Sequence, residues 1–129
     1  MKICFVWYFN RASEIFDNWR DGLRAALEEI RKRGHKIDWL LDEQIPLPVS
    51  NDYYNFILLW GDSNCPAIPL IQDFKAKKGI ILTTDPHNVE NLRKLDVVFC
   101  ESQPIYKACI NLELNAVKAF GTDTDFYKP

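Results

Sequence analysis

The sequence predicts an α/β fold, a Rossmann-like parallel sheet sandwiched by helices. Three observations predict it. Short apolar runs of strand length alternate along the chain with segments of helical spacing. The runs Ile3–Tyr8, Asn55–Trp60 and Val97–Cys100 are nearly continuous, as expected for parallel strands covered on both faces. Right-handed crossovers between such strands then favour a doubly wound sheet.

Each element has its own signals. Ile3–Tyr8 is the first strand. Ser13 is a good N-cap for the next helix, with Glu14 and Asp17 suited to its positive end. Phe16, Trp19, Leu23, Ala26, Leu27 and Ile30 recur at helical spacing. Arg31, Lys32 and Arg33 fill the last turn, and Gly34 ends it. The second strand is Lys36–Leu41, followed by a polar connection containing Pro46 and Pro48. The third, Asn55–Trp60, is stopped by Gly61-Asp62, and a short helix is expected over Ile68–Lys77, with Pro66 and Pro69 near its start. Gly79–Thr83 is the fourth strand, Val89–Leu95 a short helix and Val97–Cys100 the fifth strand. A helix over Pro104–Ile110, with Ser102 as N-cap, leads to a sixth strand at Ala116–Phe120.

A chain of 129 residues fits one domain with one good core, and its four Trp, eight Phe and five Tyr are a folded composition. The formal net charge of −2 gives no indication of nucleic acid or of an acidic membrane surface. The first apolar run is too short to span a bilayer, and no small-residue cleavage site follows it. The four cysteines, Cys4, Cys65, Cys100 and Cys109, form no Cys-x-x-Cys pair and have no histidine at ligand spacing, which argues against a zinc site. They read as reduced, buried thiols of a cytoplasmic protein.

In a doubly wound sheet, ligands sit beyond the carboxyl ends of the strands. That rule selects four loops. The first, Asn10 to Ser13, opens a helix, whose free N–H groups suit an anion, and Arg11 adds a charge. Asn10 and Arg11 are substrate-binding candidates there. The second, Gly61 to Cys65, offers Asp62 or Ser63. In the third, Thr84 to Asn88, polar side chains crowd the end of a buried strand. Asp85 precedes a proline and is biased away from helix, although it is also placed to cap the next one. His87 is suited to bind a hydroxyl or phosphate and to act as acid or base near neutral pH. The fourth, Glu101 to Gln103, offers Ser102, which doubles as a helix cap. His35 lies in a turn at the opposite end of the sheet and is assigned no chemistry.

Several function classes are disfavoured. No Gly-x-Gly-x-x-Gly fingerprint, P-loop or Gly-x-Ser-x-Gly elbow occurs. The first strand ends Trp7-Tyr8-Phe9-Asn10, without the acidic pair of a receiver domain, and Asn10-Arg11-Ala12 is not the phosphate loop of a flavodoxin.

Three stretches together resemble the retaining family 4 of GT-B glycosyltransferases. Lys2-Ile3-Cys4-Phe5-Val6, with Arg33-Gly34-His35-Lys36-Ile37 after the first helix, is similar to that family's opening. Asp96-Val97-Val98-Phe99-Cys100-Glu101-Ser102 resembles its Asp-x-Val-Ile-x-x-Ser strand. The stretch from Ala116 through Gly121-Thr122-Asp123 to Phe126-Tyr127-Lys128-Pro129 resembles the Gly-Val-Asp segment that leads into the second domain. The resemblance implies that residues 1–129 form an N-terminal, acceptor-side domain, inactive by itself, with a donor-binding C-terminal domain lying outside it. It implies catalysis in the cleft between the two, no metal and no cofactor beyond the nucleotide-sugar co-substrate. His87 matches the family's cleft-facing histidine loop and is the catalytic candidate. The implied partners are that second domain and a sugar, lipid or glycan acceptor. Peripheral membrane contact stays open, and neither nucleic acid nor a transmembrane segment is expected. Two departures stand out. The Gly-Gly loop of many members is replaced by Asn10-Arg11-Ala12-Ser13, and Thr84-Asp85-Pro86-His87 is also similar to spore-maturation-type glycosyltransferase-like proteins. The alternative reading is a free-standing α/β ligand- or protein-binding module.

Overall fold

The computed structural model describes residues 1–7, 17–41, 47 and 49–119. Strand β1 (Lys2–Trp7) is followed by α1 (Asp17–Lys32), β2 (Lys36–Leu41) and β3 (Phe56–Gly61). Then come α2 (Ala67–Leu70), β4 (Lys77–Leu82), α3 (Val89–Leu92), β5 (Val97–Cys100), α4 (Gln103–Asn111) and β6 (Ala116–Lys118). The strands form one six-stranded sheet, ordered β2-β1-β3-β4-β5-β6, and every pairing is parallel. This is the α/β, Rossmann-like sheet expected from the sequence. The order reverses between β1 and β3, which makes the carboxyl ends of those two strands the topological switch point.

The alternation of side chains along the strands divides the core in two. On one face Cys4, Val6, Ile57, Leu59, Ile80, Leu82, Val98 and Cys100 pack with Ile68, Ile71, Leu92, Ile105 and Cys109 from the later helices and loops. On the other, Phe5, Ile37 and Trp60 pack with Leu27 of α1, and Ile30 and Trp39 join them. Phe5 and Trp39 meet edge to face with ring centroids 5.2 Å apart. Ala26, placed on the apolar stripe by its spacing, is instead exposed. All four cysteines are buried, and desolvation pushes the Cys4 and Cys100 thiols up to about 12.

Helix α1 ends as its sequence predicts. Gly34 takes φ +94, its N–H donates to Arg31 O (2.9 Å), and His35 N–H reaches back to Ile30 O (3.4 Å). This is the double closure that a left-handed residue after a helix provides. Helix α4 closes in the same way on Glu113, at φ 58, with Leu114 N–H on Cys109 O (3.1 Å).

The largest departure from expectation is the helix expected over Ile68–Lys77. It is a single turn, because the chain must be extended again by Lys77 to pair with β3. The remaining backbone is satisfied in other ways. Lys75 N–H donates to Asn51 O (2.8 Å), and the Lys78 ammonium donates to Phe74 O (2.6 Å) and Ala76 O (3.0 Å). Tyr8, Ser13 and Phe120, assigned to element ends from the sequence, and Phe16 of the helical stripe lie outside the described residues.

Candidate functional site at the carboxyl edge

The ends of β3 and β4 and the loops after them are locked together by side-chain amides and two hydroxyls. Asp62 folds its own loop into a turn: Oδ1 accepts the Asn64 N–H (2.8 Å) and its carbonyl accepts the Cys65 N–H (3.1 Å). That turn carries Ser63 inward, where it is 1% exposed. Ser63 Oγ accepts the Asn88 N–H (2.9 Å), and Asn91 Nδ2 donates to the Ser63 carbonyl (3.1 Å). Asn88 Nδ2 donates to Asn64 Oδ1 (3.1 Å). The Asn88 carbonyl oxygen of the side chain accepts the Asn91 N–H (3.1 Å) and so caps α3. Thr83 donates to Gly61 O through both its N–H (3.1 Å) and its hydroxyl (3.2 Å). The capping role open to Asp85 in the sequence thus belongs to Asn88.

This frame presents Asp85 and His87. Pro86 between them is buried, and the His87 N–H closes a tight turn on Asp85 O (2.9 Å). Both flanking residues are exposed, and among the described residues no hydrogen bond to either side chain is formed. Asp62, by contrast, spends one carboxylate oxygen on its own turn. Ser102 caps α4, its Oγ accepting the Ile105 N–H at 3.5 Å, while its carbonyl accepts the Tyr106 N–H (3.0 Å). Asn10 and Arg11 lie outside the described residues. The structure therefore brings Asp62, Asp85 and His87 onto adjoining strand ends and sets Ser102 one strand further along the edge.

Glu101, passed over beside Ser102 in the sequence, is the more informative of the two. It follows β5 directly and is half-buried, and desolvation raises its carboxyl above the usual carboxylate range. No hydrogen bond or ion pair compensates it among the described residues. Its place beyond the carboxyl end of a parallel strand makes it a candidate ligand-site residue. Periodicity could not find it, because the strand pattern ends at Cys100 and burial of the next residue depends on its neighbours.

Electrostatically the described edge is acidic. Asp62, Asp85, Glu90 and Glu101 stand in or beside its loops. Lys118, at the end of β6, is turned over the Tyr106 ring, 5.0 Å from its centroid. Carboxylates, hydroxyls and an imidazole suit a polyhydroxylated ligand better than a phosphate. Among the described residues no group of three or more His, Cys, Asp and Glu side chains is placed to hold a metal ion, and no helix is long and apolar enough to cross a membrane. Compared with protein-family models and with curated proteins, the chain matches none.

Proposed function

We propose that this chain is the acceptor-side domain of a glycosyltransferase of the GT-B type. It would bind a sugar-bearing acceptor at its carboxyl edge and work with a donor-binding domain that carries the nucleotide sugar. The observation that supports this reading is the row of oxygen-rich side chains along that edge, Asp62, Asp85 and Glu101 with the hydroxyls of Thr83 and Ser102, on a Rossmann-like sheet. Carboxylates accept hydrogen bonds from sugar hydroxyls, and one placed against the attacking hydroxyl is a base. His87 and Glu101 are the candidates for that role. Holding the acceptor rigidly against the donor supplies much of the rate in such a transfer.

Saturation-transfer NMR on the chain tests it, with neutral oligosaccharides and nucleoside diphosphates as separate probes. The expected result is transfer to an oligosaccharide, weakened by Asp85→Ala or Glu101→Gln, and little or none to the nucleotide. Tight nucleotide binding without oligosaccharide binding would overturn the reading. A second reading is a free-standing binding module, favoured by the strand order, since β2-β1-β3-β4-β5 is also that of flavodoxin-like modules.

A further inference from the structure

The charge total hides an asymmetry. The amino edge of the sheet, opposite the candidate site, is basic. Lys2 and Lys36 stand directly opposite each other on β1 and β2. Like charges in that position repel, so the sheet alone gains nothing from them. Both ammoniums converge on one ring. Lys2 Nζ lies 4.5 Å from the Tyr53 centroid; Lys36 Nζ lies 5.7 Å from it and donates to the Tyr53 hydroxyl (3.0 Å). Neither makes an ion pair with a carboxylate among the described residues.

The same edge carries exposed Lys75, Lys77 and Lys94, and Lys32 at the end of α1. The edge also carries acids, and those bonded to neutral donors keep their charge, Asp38 acting on Lys36 and Asp52 on Lys75. Glu29 holds Arg33, Asp96 accepts the Lys78 N–H (2.8 Å), Asp52 accepts the Ser50 hydroxyl (2.9 Å), and Asp38, behind Lys36, accepts the Tyr54 hydroxyl (2.9 Å). With exposed Asp73 and Glu113 added, the cations named on this edge still outnumber its acids.

We propose that this amino edge docks on an anionic lipid bilayer, with the Lys2–Tyr53–Lys36 cluster as its anchor. A bilayer is favoured over a single small ion because the cations are spread along several strands, spaced about 4.8 Å apart. It is favoured over a nucleic acid because apolar groups share the edge. Met1 is 59% exposed beside Lys36, whose N–H donates to Met1 O (2.9 Å), and Tyr53 offers an amphipathic ring of the type found at membrane interfaces. An external phosphate beside the Tyr53 ring is attracted by both ammoniums at once. Docked in this way, the acidic carboxyl edge faces water, so a ligand reaches the candidate site from the aqueous side. This inference stands independently of the sugar-transfer reading.

Co-sedimentation with phosphatidylglycerol/phosphatidylcholine vesicles tests it, beside pure phosphatidylcholine vesicles and a heparin column. The chain should bind the anionic vesicles at ~0.1 M salt and release at ~0.5 M, as the screening length shrinks. Lys2→Glu with Lys36→Glu should weaken vesicle binding by at least about tenfold. Lys107→Glu, at an exposed position of α4, should change it less than about twofold, with circular dichroism confirming that both variants fold. Absence of binding to anionic vesicles at low salt, or an equal loss in the Lys107 variant, overturns the proposal. Strong heparin retention that the double variant loses, without vesicle binding, identifies a soluble polyanion as the partner and overturns it as well.

Discussion

Replacing Gly79 by alanine should destabilise the protein, although alanine ordinarily suits a strand interior better than glycine does. Gly79 pairs with Leu58 on β3 and Val97 on β5 and is buried. A Cβ there would meet Val97 Cγ1 at 2.9 Å, Phe56 Cζ at 3.1 Å and Phe99 Cε2 at 3.2 Å. The two phenyl contacts are at the far ends of rings that can shift. The valine contact is the severe one, because Val97 is β-branched and stiff about χ1. Overpacking of this kind costs about 1–3 kcal/mol. The reduced freedom of the unfolded chain offsets about 0.4–1 kcal/mol of it. A net loss of about 1–2 kcal/mol follows, a fall of roughly 3–10 °C in Tm for a domain of this size. Urea and thermal unfolding read it directly. Adding Val97→Ala removes the clashing methyl, so the pair should couple favourably by about 1 kcal/mol in a double-mutant cycle. An unchanged or raised midpoint in Gly79→Ala would refute the packing argument, and additivity of the two substitutions would refute the assignment to Val97.

Ser63→Ala removes the acceptor of the buried Asn88 N–H and should cost about 1–3 kcal/mol in urea unfolding; a cost below about 0.5 kcal/mol would mean that the two loops are not held by this bond. Glu101 carries a pH signature. Its folded pKa is raised, so its protonated form favours the native state, and that contribution is full below the unfolded value near ~4.3 and lost as pH rises through the folded one. Glu101→Gln should therefore gain stability relative to the wild type across that window, with a constant difference below it; a flat difference from pH 3 to 8 would show the carboxyl to be fully solvated (window set by the ordinary and raised carboxyl values).

The strands were legible because each is bounded by residues whose conformations are locally determined, and Gly34, at φ +94, illustrates the point. The four-residue core of β5 and the cap at Ser102 coincide with their sequence assignments for the same reason. What escaped the sequence depends on contacts between distant residues. Asn88 rather than Asp85 caps α3, because Asn88 is also pinned by Ser63 and Asn64, which lie 25 and 24 residues earlier. The helix expected to reach Lys77 yields to the register of β4 on β3. Glu101 gained its burial, and Lys2 and Lys36 their confrontation, only when the strands were laid side by side. Of the candidate site, the neighbouring positions of the loops after β3, β4 and β5 were legible from the fold class, whereas the hydrogen bonds among their side chains were not.

The strand order also constrains how the sheet is assembled. β1 is the first strand in the chain, yet it lies between β2 and β3. Every other neighbouring pair is consecutive in sequence, so each can close over one intervening connection. The β1–β3 junction alone spans a whole βαβ unit, and closing that larger loop costs more chain entropy before any contact repays it. That seam is also the switch point, where the two halves of the sheet send their connections to opposite faces. The junction with the longest loop to close is therefore also the one at which the strand order reverses.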